Sequence, residues 1–305
     1  MKLFERMSGE GYEQIIFCQD KDVGLKAIIS IHDSTLGPAT GGCRMYPYAS
    51  EDAALEDVLR LSRGMTYKAS ISNLKLGGGK AVIIGDPKKD KNEKFLKRFG
   101  QFVDSLGGNY ITAKDVGING DDLAIVRGVT KNVLGIEGMP NSSGDPSPLT
   151  AWGVFNGMKA CAAHVWGDSS LRGRRVAVQG LGYVSFSLVG HLVKAGASVV
   201  GADVDSAAVV RAQKEFGIDI VAPSEILAQD CDIFSPNALG AIINQESIRD
   251  LKCKVVAGAA NNQLATAADG EELQRRGIVY APDYAINAGG LMNIYHELDS
   301  YNAQR

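Results

Sequence analysis

The chain has 305 residues and a formal net charge of −3 at pH 7, with 45% hydrophobic and 22% charged residues. This composition is typical of a soluble globular protein of about two domains, and the charge excludes an electrostatic case for a nucleic-acid or membrane partner. There is no signal-peptide pattern or long apolar run, and the five cysteines and four histidines show no metal-ligand spacing, so we expect a cytoplasmic protein with reduced thiols and no metal site.

The first part of the chain predicts a hairpin followed by a loop and a long helix. Residues 12–19 and 24–32 are β-rich and flank a charged turn, which is typical of a hairpin. Residues 33–45 are rich in Gly and Pro and predict a loop. Ser50 is followed by two acidic residues, as at a helix N-cap, and apolar residues at helical spacing continue to about Lys68.

A run of three glycines leads into a lysine in residues 74–82, Leu-Lys-Leu-Gly-Gly-Gly-Lys-Ala-Val. Because three glycines cost backbone entropy and add nothing to a core, we expect something to approach this backbone closely. Lys80 opens an apolar run at 81–85, which predicts a buried strand with the lysine at its lip. If Lys68 and Lys80 lie in one cleft, one lysine can stay charged and hold a carboxylate while the other releases its proton and acts as a base. The physical reason is that a nearby cation lowers the pKa of a lysine. The alternative is a glycine-rich turn with a solvated lysine.

The next segments predict a helix, a strand and a linker. Residues 92–106 form an amphipathic helical pattern and residues 109–112 a short strand. Asp115 follows that strand directly, at the end where ligands bind in open α/β sheets. Residues 135–148 contain three Gly, three Pro and three Ser, and we place an interdomain linker there.

Strand and helix patterns alternate in the second half of the chain, after a helix expected from Ser147 or Thr150 to about residue 164. This alternation predicts a parallel, doubly wound sheet. The segment Gly180-Leu-Gly-Tyr-Val-Ser185 lies between a strand and a helix, and Asp203 lies about twenty residues further on, which is the context of a dinucleotide-binding turn. Asp203 is expected to bond the adenosine ribose and to repel a 2′-phosphate, which favours NAD over NADP. The alternative is that Asp203 is a helix-capping carboxylate.

Motifs in both halves of the chain point to one family, and they read GGCRMYPY, MTYK, LGGGKAVIIGDP, YITAKDVG, SSGDPSPLTAWGV, QGLG, AGAANNQL and APDYAINAGG. Together they resemble the Glu/Leu/Phe/Val dehydrogenase family along almost the whole chain, with leucine, phenylalanine and tryptophan dehydrogenases the most similar members. With the linker, the resemblance implies an α/β fold with a substrate domain at 1–140, towards which helix 289–305 packs back, and a Rossmann-type NAD-binding domain at 141–288. It also implies a homo-oligomer, a dimer or larger.

The resemblance implies reversible, NAD-dependent oxidative deamination of an L-amino acid to a 2-oxo acid and ammonia. Lys68 would hold the substrate carboxylate, and Lys80 would activate water and polarise the carbonyl or imine. Asp115 would exchange protons with the substrate nitrogen. Other residues implied to contact polar parts of the substrate are Gly77, Gly78 and Asn262.

The residues implied to bind the cofactor lie in the second half of the chain, and they are Thr150, Gly180, Gly182, Tyr183, Val184, Asp203, Asn237, Ala238, Ala260 and Asn261. Thr150 is expected near the nicotinamide. Position 237 is usually Cys in the family, so Asn237 leaves the contact to the cofactor ribose open.

The implied wall around the substrate side chain consists of Thr40 and three apolar residues, Ala113, Leu291 and Ile294. Leu291 and Ile294 are one helical turn apart and share a face. Ala113 narrows the pocket and favours a leucine-like substrate, whereas Thr40 leaves room for an aromatic one. The wall offers no cation for a second carboxylate, which argues against an NADP-linked glutamate dehydrogenase. The alternative outside the enzymes is a catalytically weakened NAD-binding relative.

Overall fold

The computed structural model describes residues 2–136 and 142–299. Within these residues the chain forms two compact units, which are residues 2–136 with 142–145 and 291–299, and residues 146–290. The predicted domain boundary between 140 and 141 lies outside the described residues, as does the middle of the predicted linker. Among the helices of the described ranges, none is both long and apolar enough to cross a membrane.

The elements of the first unit follow the chain up to residue 127. Its helices are α1 (Leu3–Glu10), α2 (Glu51–Ile71), α3 (Glu93–Ser105) and α4 (Gly120–Arg127). Its strands are β1 (Gln14–Asp20), β2 (Leu25–Asp33), β3 (Ala39–Tyr46), β4 (Gly77–Ile84) and β5 (Tyr110–Lys114). The predicted cap of α2 is confirmed, because the Ser50 side chain accepts a hydrogen bond from the Ala53 N–H at 3.1 Å.

These strands form one sheet in the order β1-β2-β4-β3-β5. β1 pairs antiparallel with β2, which confirms the predicted hairpin. β2 pairs antiparallel with β4, while β3 runs parallel to both β4 and β5. α2 covers one face, where Val58 and Val82 belong to one buried cluster, and α3 covers the other, where Phe99 and Ala81 belong to another. Because side chains alternate along a strand, positions 78 and 80 of β4 face α2 like Val82.

The prediction of a loop over residues 33–45 is wrong for its second half, which forms β3 in the interior of the sheet. Gly41 and Gly42 weaken the strand pattern, but the sheet requires glycine at both positions. A Cβ on Gly41 would overlap the carbonyl of Gly79, and one on Gly42 would overlap the carbonyl of Lys114. The Tyr110 hydroxyl also donates to the Gly41 carbonyl at 2.6 Å. Close approach of neighbouring strands therefore explains these glycines.

The three glycines before Lys80 lie inside β4, so the prediction that this strand begins after the lysine is wrong. The close approach expected at this run is made by the protein itself. A Cβ on Gly78 would overlap Thr66 of α2, and one on Gly79 would lie 2.8 Å from the Tyr110 ring. Lys80 consequently lies within the strand rather than at its end. It is only 4% exposed, so the alternative of a solvated lysine is wrong.

The second unit alternates helices and strands. In chain order it contains α5 (Ser147–Trp166), β6 (Arg175–Gln179), α6 (Tyr183–Lys194), β7 (Ser198–Ala202), α7 (Ser206–Phe216), β8 (Asp219–Ile220), β9 (Ile233–Pro236), α8 (Ser247–Asp250), β10 (Val255–Val256), α9 (Ala267–Arg275), β11 (Val279–Tyr280) and α10 (Asp283–Ile286). Helix α11 (Gly289–Tyr295) and a 3₁₀ turn (His296–Asp299) then lead back into the first unit.

The strands of the second unit are all parallel, in the order β8-β7-β6-β9-β10-β11. The chain starts in the middle at β6, builds outwards to β8, and then returns to the other side of β6. This is the doubly wound order in which ligands bind where the winding reverses, beside the carboxyl ends of the first and fourth strands. The predicted α/β fold class is confirmed.

Candidate active site

Lys80 and Asp115 form a buried ion pair on the α2 face of the first sheet. The Lys80 ammonium donates to Asp115 Oδ2, and the two side chains are 5% and 12% exposed. β5 is short: its last residue, Lys114, is level with Cys43 of β3 and therefore with Ala81 in the middle of β4. Asp115 thus reaches Lys80 at mid-sheet. The structure brings together the two residues predicted to be catalytic.

A second cation, Arg44 of β3, also faces Asp115. Its Nε lies 3.6 Å from Asp115 Oδ1, and its Nη1 donates to Asp57 Oδ2 at 2.9 Å. Burial alone would raise the pKa of Asp115, but Lys80 and Arg44 outweigh it and hold this pKa well below its usual range. Asp115 is therefore ionised at neutral pH. Arg44 was not among the predicted site residues, because its strand was read as a loop.

Lys68 lies in the last turn of α2, as predicted, on the helix that covers the Lys80 face. It is 8% exposed, so the residue is largely buried. Gly77 packs against the Asp33 carbonyl, and its N–H donates to Pro38 O at 3.0 Å. That N–H is accordingly engaged within the chain.

Three of the four residues predicted to line the side-chain pocket pack together. Ala113, Leu291 and Ile294 belong to one buried apolar cluster. The other buried members of this cluster are Ala69, Leu74 and Leu76. Thr40 is also fully buried, beside Gly78 in the sheet register, and its hydroxyl donates to the Pro38 carbonyl at 3.3 Å.

In the second unit, the turn between β6 and α6 has the geometry expected for nucleotide binding. Gly180 has a φ of 88°, which favours glycine, and a Cβ there would lie 3.0 Å from that of Ala238. Gly182 is the N-cap residue of α6, with open space where a Cβ would be. Tyr183 and Val184 form the first turn of α6, and Tyr183 is 72% exposed. The predicted residues thus surround a free helix N-terminus, which is a ready site for a phosphate.

Asp203 lies just beyond the end of β7 and is bonded to this turn. Its Oδ2 accepts from the Leu181 N–H at 2.5 Å, and its Oδ1 accepts from the Asp205 N–H at 2.8 Å. The N-cap of α7 is Asp205, which accepts from the Ala207 N–H at 2.9 Å. The alternative reading of Asp203 as the capping carboxylate is therefore wrong.

The loops after β9 and β10 lie next to each other. Asn237 Oδ1 accepts from the Ala259 N–H at 2.7 Å, and the Ala260 N–H donates to Pro236 O at 3.0 Å. Asn261 Oδ1 accepts from the Asn287 side chain at 2.9 Å. The side chain of Asn237 is thereby engaged within the protein, and Asn287, buried beside these loops, was not predicted.

Two further predicted residues are fixed by local bonds in the second unit. Asn262 has a φ of 52°, and its N–H donates to Asp283 Oδ2 at 2.7 Å. This left-handed conformation in a residue other than glycine is strained, and such strain is found preferentially at functional sites. The Thr150 hydroxyl, in the first turn of α5, donates to Pro146 O at 3.0 Å. Over residues 2–136 and 142–299 there is no cluster of three or more His, Cys, Asp or Glu residues suited to a metal ion.

Comparison with known proteins agrees with this architecture. The family model described as Glu/Leu/Phe/Val dehydrogenase, dimerisation domain, matches residues 12–132, and that described as Glutamate/Leucine/Phenylalanine/Valine dehydrogenase matches residues 213–305. Leucine dehydrogenase of Bacillus subtilis is 53% identical over the whole chain and 84% of its own length, and that of Geobacillus stearothermophilus is 54% identical over the whole chain and 83% of its own length. The crystal structure of L-tryptophan dehydrogenase from Nostoc punctiforme matches 99% of this chain and 86% of its own, with a TM-score of 0.77 and 45% identity. The predicted resemblance is confirmed: the chain belongs to the Glu/Leu/Phe/Val dehydrogenase family.

Proposed function

We propose that this protein is an NAD-dependent L-amino-acid dehydrogenase that reversibly converts an apolar, leucine-like amino acid to its 2-oxo acid and ammonia. The observation that carries the proposal is the buried Lys80–Asp115 pair. It places two side chains that can exchange protons with a substrate in contact with each other, on a face with little access to water. Relatives named leucine dehydrogenase, 53% and 54% identical over the whole chain, support the same activity.

In the proposed mechanism, Lys68 binds the substrate carboxylate through its charge. Asp115, kept ionised by Lys80 and Arg44, takes a proton from the substrate ammonium, so that the nitrogen becomes a free amine. For hydrolysis of the imine, Lys80 acts after its ammonium has released a proton to solvent, and the neutral Nζ then takes a proton from the water that attacks the imine carbon. Asp115 returns its proton to the nitrogen, and loss of the hydroxyl proton to solvent releases ammonia and the 2-oxo acid. The reverse direction runs the same proton transfers backwards. Burial of both groups strengthens these interactions, because water competes poorly there.

We propose that the second unit binds NAD, which accepts the hydride from the substrate Cα when bound. The fit rests on the φ of Gly180, the open space at Gly182 and the uncapped N-terminus of α6, which suit a pyrophosphate. Asp203, next to this turn, suits the ribose hydroxyls and disfavours a 2′-phosphate.

Asp203→Asn should raise the KM for NAD by about tenfold or more, since hydrogen bonds to a charged group are worth ~1.5–3 kcal/mol. It should also narrow the preference for NAD over NADP, because the repulsive charge is gone. Steady-state kinetics with both cofactors measure this. Asp205→Asn is the matched control, since it keeps the cap of α7 and should leave the preference unchanged. Equal losses with NAD and NADP would mean that Asp203 only holds the turn.

Ala113→Gly should shift the kcat/KM ratio of phenylalanine to leucine upwards by about tenfold, since a methylene group in an apolar pocket is worth ~1–3 kcal/mol. The physical reason is the packing of Ala113 with Leu291 and Ile294. Ala113→Val narrows the pocket at the same position and should lower the kcat/KM ratio of phenylalanine to leucine. A kcat/KM ratio that stays constant in both variants would show that Ala113 does not line the substrate pocket.

We also propose that the protein self-associates through β1. This strand is at the edge of the first sheet, so it offers unpaired backbone groups, and its Phe17 is 61% exposed. The family model that matches residues 12–132, which include β1, is described as a dimerisation domain. Antiparallel pairing of two β1 strands around a two-fold axis would extend the sheet.

Phe17→Lys should therefore lower the molar mass measured by light scattering at micromolar concentration, because it places a charge in the paired edge. Phe4→Lys is the control, as Phe4 is 83% exposed on α1, outside the matched residues. An unchanged mass in the Phe17 variant would exclude this edge as the interface.

The five cysteines support a cytoplasmic location, which we propose as well. All five are free thiols in the structure, and free thiols are typical of reducing compartments. Measuring the location of the natural protein by cell fractionation tests this proposal, and recovery outside the cytoplasm would contradict it.

The proposed activity is tested by NADH formation from a panel of L-amino acids: leucine, valine, phenylalanine, tryptophan and glutamate. We expect leucine or valine to give the highest kcat/KM and glutamate the lowest. A maximum at phenylalanine or tryptophan would indicate an aromatic amino-acid dehydrogenase, for which the buried but small Thr40 leaves room. Binding of NAD without NADH formation from any of the five would reduce the function to cofactor binding.

A further inference from the structure

A histidine outside the described ion pair occupies a β-bulge opposite the glycine run. Ile31 of β2 pairs with Gly79 and Asp33 pairs with Gly78, so His32 is one extra residue on the β2 side. The Glu13 N–H bonds both the Ile31 and the His32 carbonyls, at 3.1 and 3.2 Å. Bulges redirect a side chain and are frequent beside active sites. Here the bulge directs a buried imidazole, 7% exposed, towards α2.

The hydrogen bonds of His32 define its tautomer. Its Nε2 lies 3.2 Å from the carbonyl oxygen of Glu10, which can only accept, so Nε2 carries the proton. Its Nδ1 lies 2.8 Å from the Thr66 hydroxyl. Burial lowers the pKa of His32 despite the nearby carboxylates of Asp33 and Glu13, and Arg63 lowers it further. The ring is therefore neutral, and Nδ1 accepts from Thr66.

Thr66 in turn contacts the candidate substrate site at Gly78. Its backbone nitrogen and its hydroxyl occupy the space into which a Cβ on Gly78 would extend, so α2 rests directly on the glycine run there. Thr66 also lies two residues before Lys68 in the same final turns of α2. The hydrogen bond between His32 and Thr66 is therefore made at the contact between α2 and Gly78, close in sequence to Lys68.

We propose that His32 is a positioning residue for binding of the substrate carboxylate, acting through Thr66 on Lys68 and Gly78. This inference rests on the proposed function, because it assumes that Lys68 holds the carboxylate. A histidine that only fills the core would also need hydrogen-bond partners. What points to a positioning role is the place of the partner, because Thr66 lies where α2 meets Gly78. Its removal should affect substrate binding and leave cofactor binding intact.

Thr66→Val, which removes the hydroxyl at nearly constant volume, should raise the KM for L-leucine by about fivefold or more, as expected for loss of one hydrogen bond of ordinary strength. The KM for NAD should stay within twofold of the parent value. The inhibition constant of 4-methylpentanoate, which carries the carboxylate but no amino group, should rise in parallel. Thr66→Ser keeps the hydroxyl and should restore the parent values.

A second pair of variants tests the histidine itself and covers the case in which Thr66→Val fails to fold. His32→Asn keeps an acceptor close to the position of Nδ1, and His32→Gln keeps a donor close to that of Nε2. We expect the Asn variant to retain a low KM for leucine and the Gln variant to lose it. Thermal unfolding of each variant checks the fold.

The proposal is overturned if Thr66→Val and His32→Gln bind leucine and 4-methylpentanoate like the parent. It is also overturned if the KM values for leucine and NAD rise equally together with a lower Tm, since that pattern indicates general loss of structure. Failure of the proposed function gives a different result: the parent protein would not oxidise any amino acid, whereas direct titration with 4-methylpentanoate would still report the carboxylate site.

Discussion

Lys80→Met should lower kcat for L-leucine oxidation by at least ~10²-fold, the usual minimum for loss of a positioned acid or base. Methionine keeps much of the length of lysine in a site that is only 4% exposed, but it carries neither charge nor a transferable proton. The affinity for NAD should change little, because the Gly180 turn belongs to the other unit. Stopped-flow or steady-state NADH formation measures kcat, and fluorescence titration measures NAD binding.

The control is Lys89→Met, the same substitution at a lysine whose side chain is 80% exposed and pairs with Asp86. It should leave kcat unchanged. If the Lys80 variant kept more than about a tenth of the parent kcat, it would fall outside the range expected for an acid or base, and the role assigned to Lys80 would be wrong.

Asp115→Asn should lower kcat by ~10²–10⁴-fold, because the amide cannot take a proton from the substrate nitrogen. It should also lower the free energy of unfolding at neutral pH by ~3–5 kcal/mol, the usual effect of removing one partner from a buried ion pair. Lys80 and Arg44 would then face each other without the carboxylate between them. Urea unfolding and NADH formation measure the two effects separately.

The stability effect of Asp115 should depend on pH in a defined direction. Its pKa is lower in the folded chain than the value of about 3.9 typical of an unfolded aspartate. The stabilisation is therefore complete above that pH and is lost as the pH falls through the folded pKa. The difference in unfolding free energy between parent and Asn variant should accordingly shrink at about pH 3 and below.

Asp57→Asn distinguishes a catalytic role of Asp115 from a purely structural one, because Asp57 and Asp115 both face Arg44. Asp57 bonds Arg44 at 2.9 Å but makes no hydrogen bond to Lys80 among the described residues. If Asp115 acted only by neutralising Arg44, both Asn variants would lower kcat alike. We expect a large loss of kcat for Asp115 and a small one for Asp57.

Much of the candidate site could be predicted because its residues carry local signals. Asp203 follows an apolar strand after a glycine turn, and Asp115 follows a β-rich segment, so their positions come from patterns of a few residues. The α2 cap at Ser50 and the helical spacing up to Lys68 are local in the same sense.

What escaped prediction depends on packing between distant segments. β3 was read as a loop because Gly41 and Gly42 are poor strand formers, and only the close carbonyls of Gly79 and Lys114 explain them. Arg44 was missed together with its strand. α4 was missed although its capping box at Asn119 is a short-range signal.

The bulge at His32 could not be predicted for another physical reason. A bulge is defined by the register between two strands, so no pattern within residues 24–32 shows that this residue is the extra one. Its partner Thr66 lies on a helix, and the contact of Thr66 with Gly78 exists only after α2 has packed on the sheet.

The most direct test of the central claim follows the hydrogen on the substrate Cα. L-Leucine deuterated at Cα is incubated with NAD and the full-length protein, and the products are examined by NMR and mass spectrometry. We predict deuterium at C4 of the reduced nicotinamide, together with equal amounts of 4-methyl-2-oxopentanoate and ammonia, in the parent protein and not in Lys80→Met. Deuterium that remains on leucine, or that is lost to water without NADH formation, would contradict the account.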